Sequence, residues 1–334
     1  MFNKNIYIVF FLFSFTFSLV GQDVILKNQS KILGTLNPSF FGFGETTKVG
    51  VNYGLEIIDN KNTIENKMAF ANYYFEDYNF SLGADVSLID IGNLGYSSSQ
   101  LNLHYIYNSR FSYNWVFNPS ITVGLGSRNL DFKSLIFEDQ INVYTGNISG
   151  ISNDRVAEGD NVLFFDVGAG LLFHNSQNFF VGFNAKHINK PETSFNSEAT
   201  NKKDLFMSLQ SGYEIDLNPW DRRNLPSNSF LFLFGAYSIE NTSSRLDLSQ
   251  EVLIENISFG INQQINNYKD ISFTTFGASL GFLMTQIEIG VNYSFEIGNK
   301  QTFAKQYNTL EIFLTFDLNS FDDRFGGNSR FKNY

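Results

Sequence analysis

The stretch Gln286–Ile297, QIEIGVNYSFEI, decides the fold. Ile287, Ile289, Val291, Tyr293, Phe295 and Ile297 share one parity; Gln286, Glu288, Gly290, Asn292, Ser294 and Glu296 share the other. Successive side chains on a strand point to opposite faces, so this segment has one apolar face and one polar, partly charged face. A soluble sheet with its apolar face in a core shows the same alternation. What directs the apolar row to lipid here is its repetition along the chain, at the length of a tilted membrane strand, behind an apolar leader.

Working outward, the same pattern recurs. Val49, Val51, Tyr53, Leu55 and Ile57 form one outward row; Phe80, Leu82, Ala84, Val86 and Leu88 another; Leu101, Leu103, Tyr105 and Tyr107 a third. Further rows run through Trp115–Leu125, Leu163–Phe173, Asn178–Asn189 and Leu205–Leu217. Arg245–Ile254, Asn256–Ile265, Asp270–Leu283 and Gln306–Leu318 complete the set, with a less regular strand near Asn66–Glu76. Phe230–Ile239 is apolar on both parities, so its orientation is left open. Pro119 implies a bulge or strand end in its own strand, and the opposite parities of Phe273 and Phe276 imply a bulge in theirs.

Tight turns near Asp77, Asn175–Gln177, Glu255 and Met284–Thr285 are separated mostly by longer links: Asn129–Gly159, Lys190–Lys203 and Gly298–Lys305. Asn218–Asn228 is the exception on the short side. The expectation is all-β: a transmembrane antiparallel up-and-down β-barrel of about fourteen strands with long external loops. Closure is obligatory, because hydrocarbon offers no partner for a free strand edge.

Lys4, the apolar run Ile6–Val20 and Gly21 read as a signal peptide over residues 1–21, the apolar run being shorter than the roughly 20 residues of a membrane helix. The remaining division is a periplasmic or plug segment over 22–45, the outer-membrane barrel over 46–318 and a periplasmic tail over 319–334. Cysteine is absent, which excludes disulfides and thiolate chemistry, and the net charge of −10 opposes nucleic acid as a partner. Phe at 38 and Tyr at 16 suit the aromatic girdles of a barrel.

Catalytic and metal motifs are missing from the sequence. His104, His174 and His187 are dispersed on strands and read as structural. Asp154, Glu158 and Asp160 fit no EF-hand spacing, and no nucleophile elbow, metalloprotease helix or Walker loop occurs. Glu288, Glu296, Glu311 and Asp317 form a negative strip on the inward parity, and Lys48 is placed to meet it where the first strand closes onto the last. No enzyme activity and no cofactor is expected.

Several segments resemble the PorP/SprF family of outer-membrane proteins associated with type IX secretion in the Bacteroidota. They are Leu36-Asn37-Pro38-Ser39-Phe40-Phe41-Gly42, the loop Ser127–Gln140 (SRNLDFKSLIFEDQ), Phe165–Leu172 (FDVGAGLL), His187–Pro191 (HINKP) and Leu310-Glu311-Ile312. In the last, leucine replaces the family's histidine. The resemblance spans most of the chain after the leader and is closest to the SprF-like branch. It implies a non-enzymatic barrel that assists secretion or surface anchoring of a type IX client through that client's C-terminal domain. A large adhesin serving gliding motility is the expected client, with secretion-machinery or periplasmic proteins as further partners. Candidate contact residues are Asp131, Phe132, Phe137, Asp139, Gln140, His187 and Asn189. For the densest motif, Asp131–Gln140, two positions stay open: an external contact surface, or a plug folded inward. A porin or solute transporter is the alternative function.

Overall fold

The computed structural model describes residues 26–58, 63–92, 95–112, 114–131, 140–142, 145, 147–148, 161–175, 178–195, 201–219, 225–268, 271–297 and 308–318. Its wall is built from β1 (Lys48–Ile57), β2 (Thr63–Phe75), β3 (Phe80–Ile91), β4 (Tyr96–Tyr107), β5 (Ser109–Ser112), β6 (Trp115–Leu130), β7 (Asn161–His174) and β8 (Phe179–Lys186). It continues with β9 (Phe206–Asp216), β10 (Ser229–Glu240), β11 (Ser243–Ile254), β12 (Ile257–Tyr268), β13 (Ile271–Leu283), β14 (Ile287–Ile297) and β15 (Asn308–Asp317). Sequence neighbours pair antiparallel except β4 and β5, which share β6 as partner, and β1 pairs with β15, so the sheet closes into a barrel. Because β5 prolongs β4 along the same partner, the wall counts fourteen strands, as the alternation implies.

The opening stretch shows which way the faces point. Ile289, Val291, Tyr293, Phe295 and Ile297 are exposed on the outside, at 36–51 %, while Asn292 and Ser294 are completely buried on the inside. The lumen, not the exterior, is therefore the protected region of this fold. A second outer feature marks the membrane boundary at the short-turn end. Trp115 stacks on Phe173 at 4.6 Å, Phe75 stacks on Phe80 at 4.7 Å, and Phe80 lies 5.4 Å from Tyr105. Such a girdle sits where amphipathic rings meet headgroups.

Three local expectations are revised. β6 runs through Pro119 without a bulge, and its ladder to β7 is continuous across Pro119↔Leu171. The interruption falls on the neighbour: pairing stops at Ile106↔Ser120 and resumes at Ser109↔Phe117, because proline has no N–H to donate there. The irregularity lies further on, between Arg110 and Ser112. β13 also has no bulge against β12; the register runs unbroken from Ile257↔Phe282 to Tyr268↔Ile271. Phe273 belongs to the lumen-facing parity of Thr275, Gly277 and Ser279, near the long-loop end. Third, tight links occur at both ends of the barrel, Asn241–Thr242 lying on the long-loop side.

β10 resolves the orientation left open. Phe232, Phe234 and Ala236 point inward and are buried, although most of the lumen is polar. They face a chain segment inside the barrel, described below.

Lipid exposure gives a direct expectation. Leu103 lies on the outer face of β4 at 54 % exposure. Leu103→Arg should cost about 2–4 kcal/mol if it lies near the bilayer midplane. Urea titration of folding into lipid vesicles measures this, and an unchanged midpoint would remove Leu103 from the lipid face.

Candidate functional site: a lumen occupied by the N-terminal segment

Leu26–Glu45 lies within the barrel. It makes a short turn at Gln29–Lys31, a single helical turn at Leu33–Leu36 and tight turns through Pro38–Glu45 before entering β1. Leu33, Leu36, Phe40 and Phe43 pack in one cluster with Leu172, Phe180, Phe206, Phe232, Phe234 and Ala236 of the wall. Phe40 meets Phe180 edge-on at 4.8 Å, and Phe43 lies 4.4 Å from the His174 ring. Burying a side chain of this size contributes about 1.5–3 kcal/mol, so the cluster is the main apolar term holding the segment.

Asn37 fixes the middle of the segment. The residue before a proline favours extended backbone, and Asn37 is extended at φ −134°, ψ 112°. Its Oδ1 accepts from Ser39 N at 3.0 Å, capping the turn that Pro38 starts. Its Nδ2 donates to Leu171 O at 3.1 Å, Phe183 O at 3.3 Å and Gln210 Oε1 at 3.1 Å, reaching three wall strands. Asn184 Nδ2 donates to Leu36 O, Asn118 Nδ2 to Gly42 O, and Asn72 Nδ2 to Phe41 O. Asparagines on the wall thus pair the backbone of a segment that lacks a sheet partner. The approach is close enough to need glycine. A Cβ on Gly170 would lie 2.4 Å from Asn37 Oδ1, and one on Gly182 would lie 2.7 Å from Gln210 Oε1 and 2.9 Å from Asn37 Nδ2.

Electrostatics complete the docking. Lys31 Nζ, buried, lies 2.5 Å from Glu251 Oε1 and 2.8 Å from Glu288 Oε1, and donates to Ser258 Oγ at 3.2 Å. Glu311 accepts from Lys27 N at 2.7 Å and Asn28 N at 3.1 Å, with Asn292 Nδ2 at 2.9 Å. Lys48 meets the strip at Asp317, 3.7 Å away. Two members of the negative strip, Glu288 and Glu311, therefore bind the segment from the N-terminal side, which the sequence did not disclose.

The candidate contact residues fall into separate places. Phe132, Phe137 and Asp139 lie outside the described residues, as do Asp154, Glu158 and Asp160. Asp131 is exposed at the long-loop end, where its N–H donates to Gly95 O at 2.9 Å. Gln140 is partly buried beside the isolated bridge Ile141↔Ile148.

His187 is fully buried at left-handed φ 58°, its Nδ1 2.8 Å from Asp166 Oδ2 and its Nε2 3.4 Å from Lys203 Nζ. Asn189 finishes the edge of β7 where β8 has already ended: Oδ1 accepts from Val167 N at 3.0 Å and Nδ2 donates to Phe165 O at 2.7 Å. Asn189→Ala should cost about 0.5–1.5 kcal/mol, the net worth of a typical hydrogen bond where water can take over. Hydrogen exchange at the Val167 amide should accelerate, and unchanged protection would rule out this role.

Asn37, Gly170 of FDVGAGLL and Glu311 thus belong to one docking arrangement, while HINKP holds the edge of β7. The type IX secretion system membrane protein PorP/SprF family model matches residues 21–316. The chain belongs to the PorP/SprF family. No curated protein matches it.

Among solved structures, the CymD monoaromatic hydrocarbon channel is similar with a TM-score of 0.50 at 11 % identity, over 89 % of this chain and 94 % of that one. The Pseudomonas putida toluene transporter TodX gives 0.49 at 9 % identity, over 90 % and 95 %. Omp33 of Acinetobacter baumannii, an outer membrane protein, gives 0.46 at 8 %, over 81 % and 97 %. At 11 % identity the likeness to CymD is one of fold alone. As a closed barrel of this membrane protein family, the chain resides in the outer membrane.

Proposed function

We propose that the protein is a non-enzymatic, plugged outer-membrane barrel that assists secretion or surface anchoring of a type IX client, a large cell-surface adhesin used in gliding. The observation that carries the reading is the occupied lumen: Leu26–Glu45 is held by buried apolar packing, the Asn37 hydrogen bonds and the Lys31 ion pairs. An open, water-filled porin lumen leaves no room for such a segment. Residues 1–21 act as the export signal and 22–45 as the plug. The client is met at the long-loop end, through Asp131, Phe132, Phe137, Asp139 and Gln140, by way of its C-terminal domain. His187 and Asn189 act through the wall edge they hold, and the tail over 319–334 serves periplasmic or secretion-machinery partners. The SprF-like branch is the favoured assignment.

Deletion of the gene should abolish surface display of at least one large adhesin, and gentle detergent extraction should co-purify that adhesin. A deletion strain that displays every adhesin at wild-type level would overturn the proposal.

A solute channel is the second reading, favoured by a cavity of about 300 Å³ above the segment. CymD, which shares the fold, is a monoaromatic hydrocarbon channel. Planar-bilayer recordings separate the two: the plugged scaffold is silent, whereas a channel gives steady solute-dependent current.

A further inference from the structure

The cavity of about 300 Å³ has the N-terminal segment as its floor, with Leu26, Thr35, Leu36 and Pro38 lining it. Its walls come from the long-loop halves of β2, β3, β4, β6, β7 and β8. On one side the lumen rule is inverted. Ile64, Met68, Ile89 and Ile91 face inward and line the cavity, while Glu65 and Lys67 pair at 2.7 Å on the outer face. Apolar side chains on the inward parity of an otherwise polar lumen form a wall that favours an apolar occupant.

The opposite side is cationic. Arg128, Lys186 and Lys203 line it, against Asp85 and Asp166. Asp85 is committed to neighbours, and Asp166 through one oxygen, its buried Oδ1 having no hydrogen-bond partner among the described residues. Asp85 contacts His104 Nε2 and Asn102 Nδ2, and Asp166 Oδ2 contacts His187 Nδ1 and Gln100 Nε2. Arg128 and Lys203 lie over the same Phe164 ring, at 5.8 Å and 5.3 Å from its centroid. Arg128 donates through Nη1 to Thr193 Oγ1, yet its buried Nε has no hydrogen-bond partner among the described residues. Lys186 Nζ donates to Thr35 O at 2.9 Å. No carboxylate among the described residues pairs with Arg128 or Lys186. An anion beside Arg128 gives its Nε the acceptor that it lacks.

We propose that this cavity binds a carboxylate carried on a short apolar body, the anion toward Arg128 and Lys186 and the body against Ile64, Met68, Ile89 and Ile91. Two sources share that chemistry: the free C-terminus of a peptide ending in an apolar residue, and a small aliphatic acid. The size lies at the lower end of small-molecule sites, about 300–1,000 Å³, which fits a few carbon atoms beyond the carboxylate and not a folded domain. The site stands apart from the secretion reading, which the deletion strain tests by itself.

The full-length protein in non-ionic detergent is titrated calorimetrically with a leucine-terminated tetrapeptide, its C-terminal amide, hexanoate and hexanol. A carboxylate form should bind at least about tenfold tighter than its neutral counterpart, since charge-assisted hydrogen bonds are lost with the charge. Binding of the peptide acid alone assigns the site to chain termini, and binding of hexanoate as well assigns it to carboxylates at large. Arg128→Gln should weaken the acid about tenfold and leave the neutral analogue unchanged, and Ile89→Asn should weaken both. Equal affinity for acid and neutral forms, or no binding of either acid, overturns the proposal. This comparison uses the unmodified protein, so it decides the matter even if a variant fails to fold.

Discussion

Replacing Lys31 with alanine should destabilise the barrel by about 3–5 kcal/mol, the range for removing one partner of a buried ion pair. Lys31 and Glu251 side chains are 2 % and 1 % exposed, and Glu288 is 17 % exposed. Losing the ammonium leaves two carboxylates facing each other in a region nearly closed to water. That cost comes chiefly from stranded charge, not from the attraction lost. A triple variant, Lys31→Met with Glu251→Gln and Glu288→Gln, removes all three charges and should recover most of the loss. Denaturant midpoints at unchanged slope give the stability difference for each variant. The single variant should also conduct intermittently in planar bilayers, because the charges that hold Gln29–Lys31 against β11, β12 and β14 are gone. A single variant within 1 kcal/mol of wild type would show that the rest of the segment holds it without this cluster.

The wall was legible because alternation is a local signal. Ile287 to Ile297 places its own faces wherever the strand sits in the barrel, and adjacent strands repeat the statement. The exceptions have physical causes. Phe232 and Phe234 sit inward against Leu33, Leu36 and Phe40, so β10 looks apolar on both parities. Phe273 likewise falls on the inward parity near the rim, and a pattern reader takes that for a bulge.

Pro119 imposes its defect on β4 and β5, a fact only the pairing reveals. The docking of the N-terminal segment was far less legible. Asn37 and Gln210 are 173 residues apart, Lys31 and Glu251 220, and Lys27 and Glu311 284. No periodicity links such positions. The motif FDVGAGLL lies on β7, one of the strands that receive the segment. Gly170 relieves crowding against Asn37 and Ser39, whereas a Cβ on Gly168 would face the wall backbone at Ala185 O, 3.1 Å away. Buried lysine and asparagine in a short segment between a leader and the first strand were the available signal, since such residues stay in water unless something inside a fold receives them.

Gly170→Val should displace the N-terminal segment and leave the barrel wall in place. The new Cβ meets Asn37 Oδ1 at 2.4 Å, Ser120 Oγ at 2.6 Å and Ser39 Oγ at 2.8 Å, all below contact distance. Asn37 has nowhere to retreat: it is fully buried and tied to Leu171 O, Phe183 O and Gln210 at once. Overpacking combined with the loss of those hydrogen bonds costs about 2–5 kcal/mol. The wall has fourteen strands paired all the way round to resist that strain, whereas the segment is attached covalently only at Thr46–Thr47 among the described residues. The segment therefore yields first. Conductance should appear with Gly170→Val and approach that of a variant lacking residues 26–45. Gly54→Ala is the control, because its Cβ finds nothing nearer than Glu311 Cγ at 3.6 Å, and it should stay silent. If the deletion variant conducts while Gly170→Val remains closed with wild-type stability, the glycine is not what admits Asn37 to the wall.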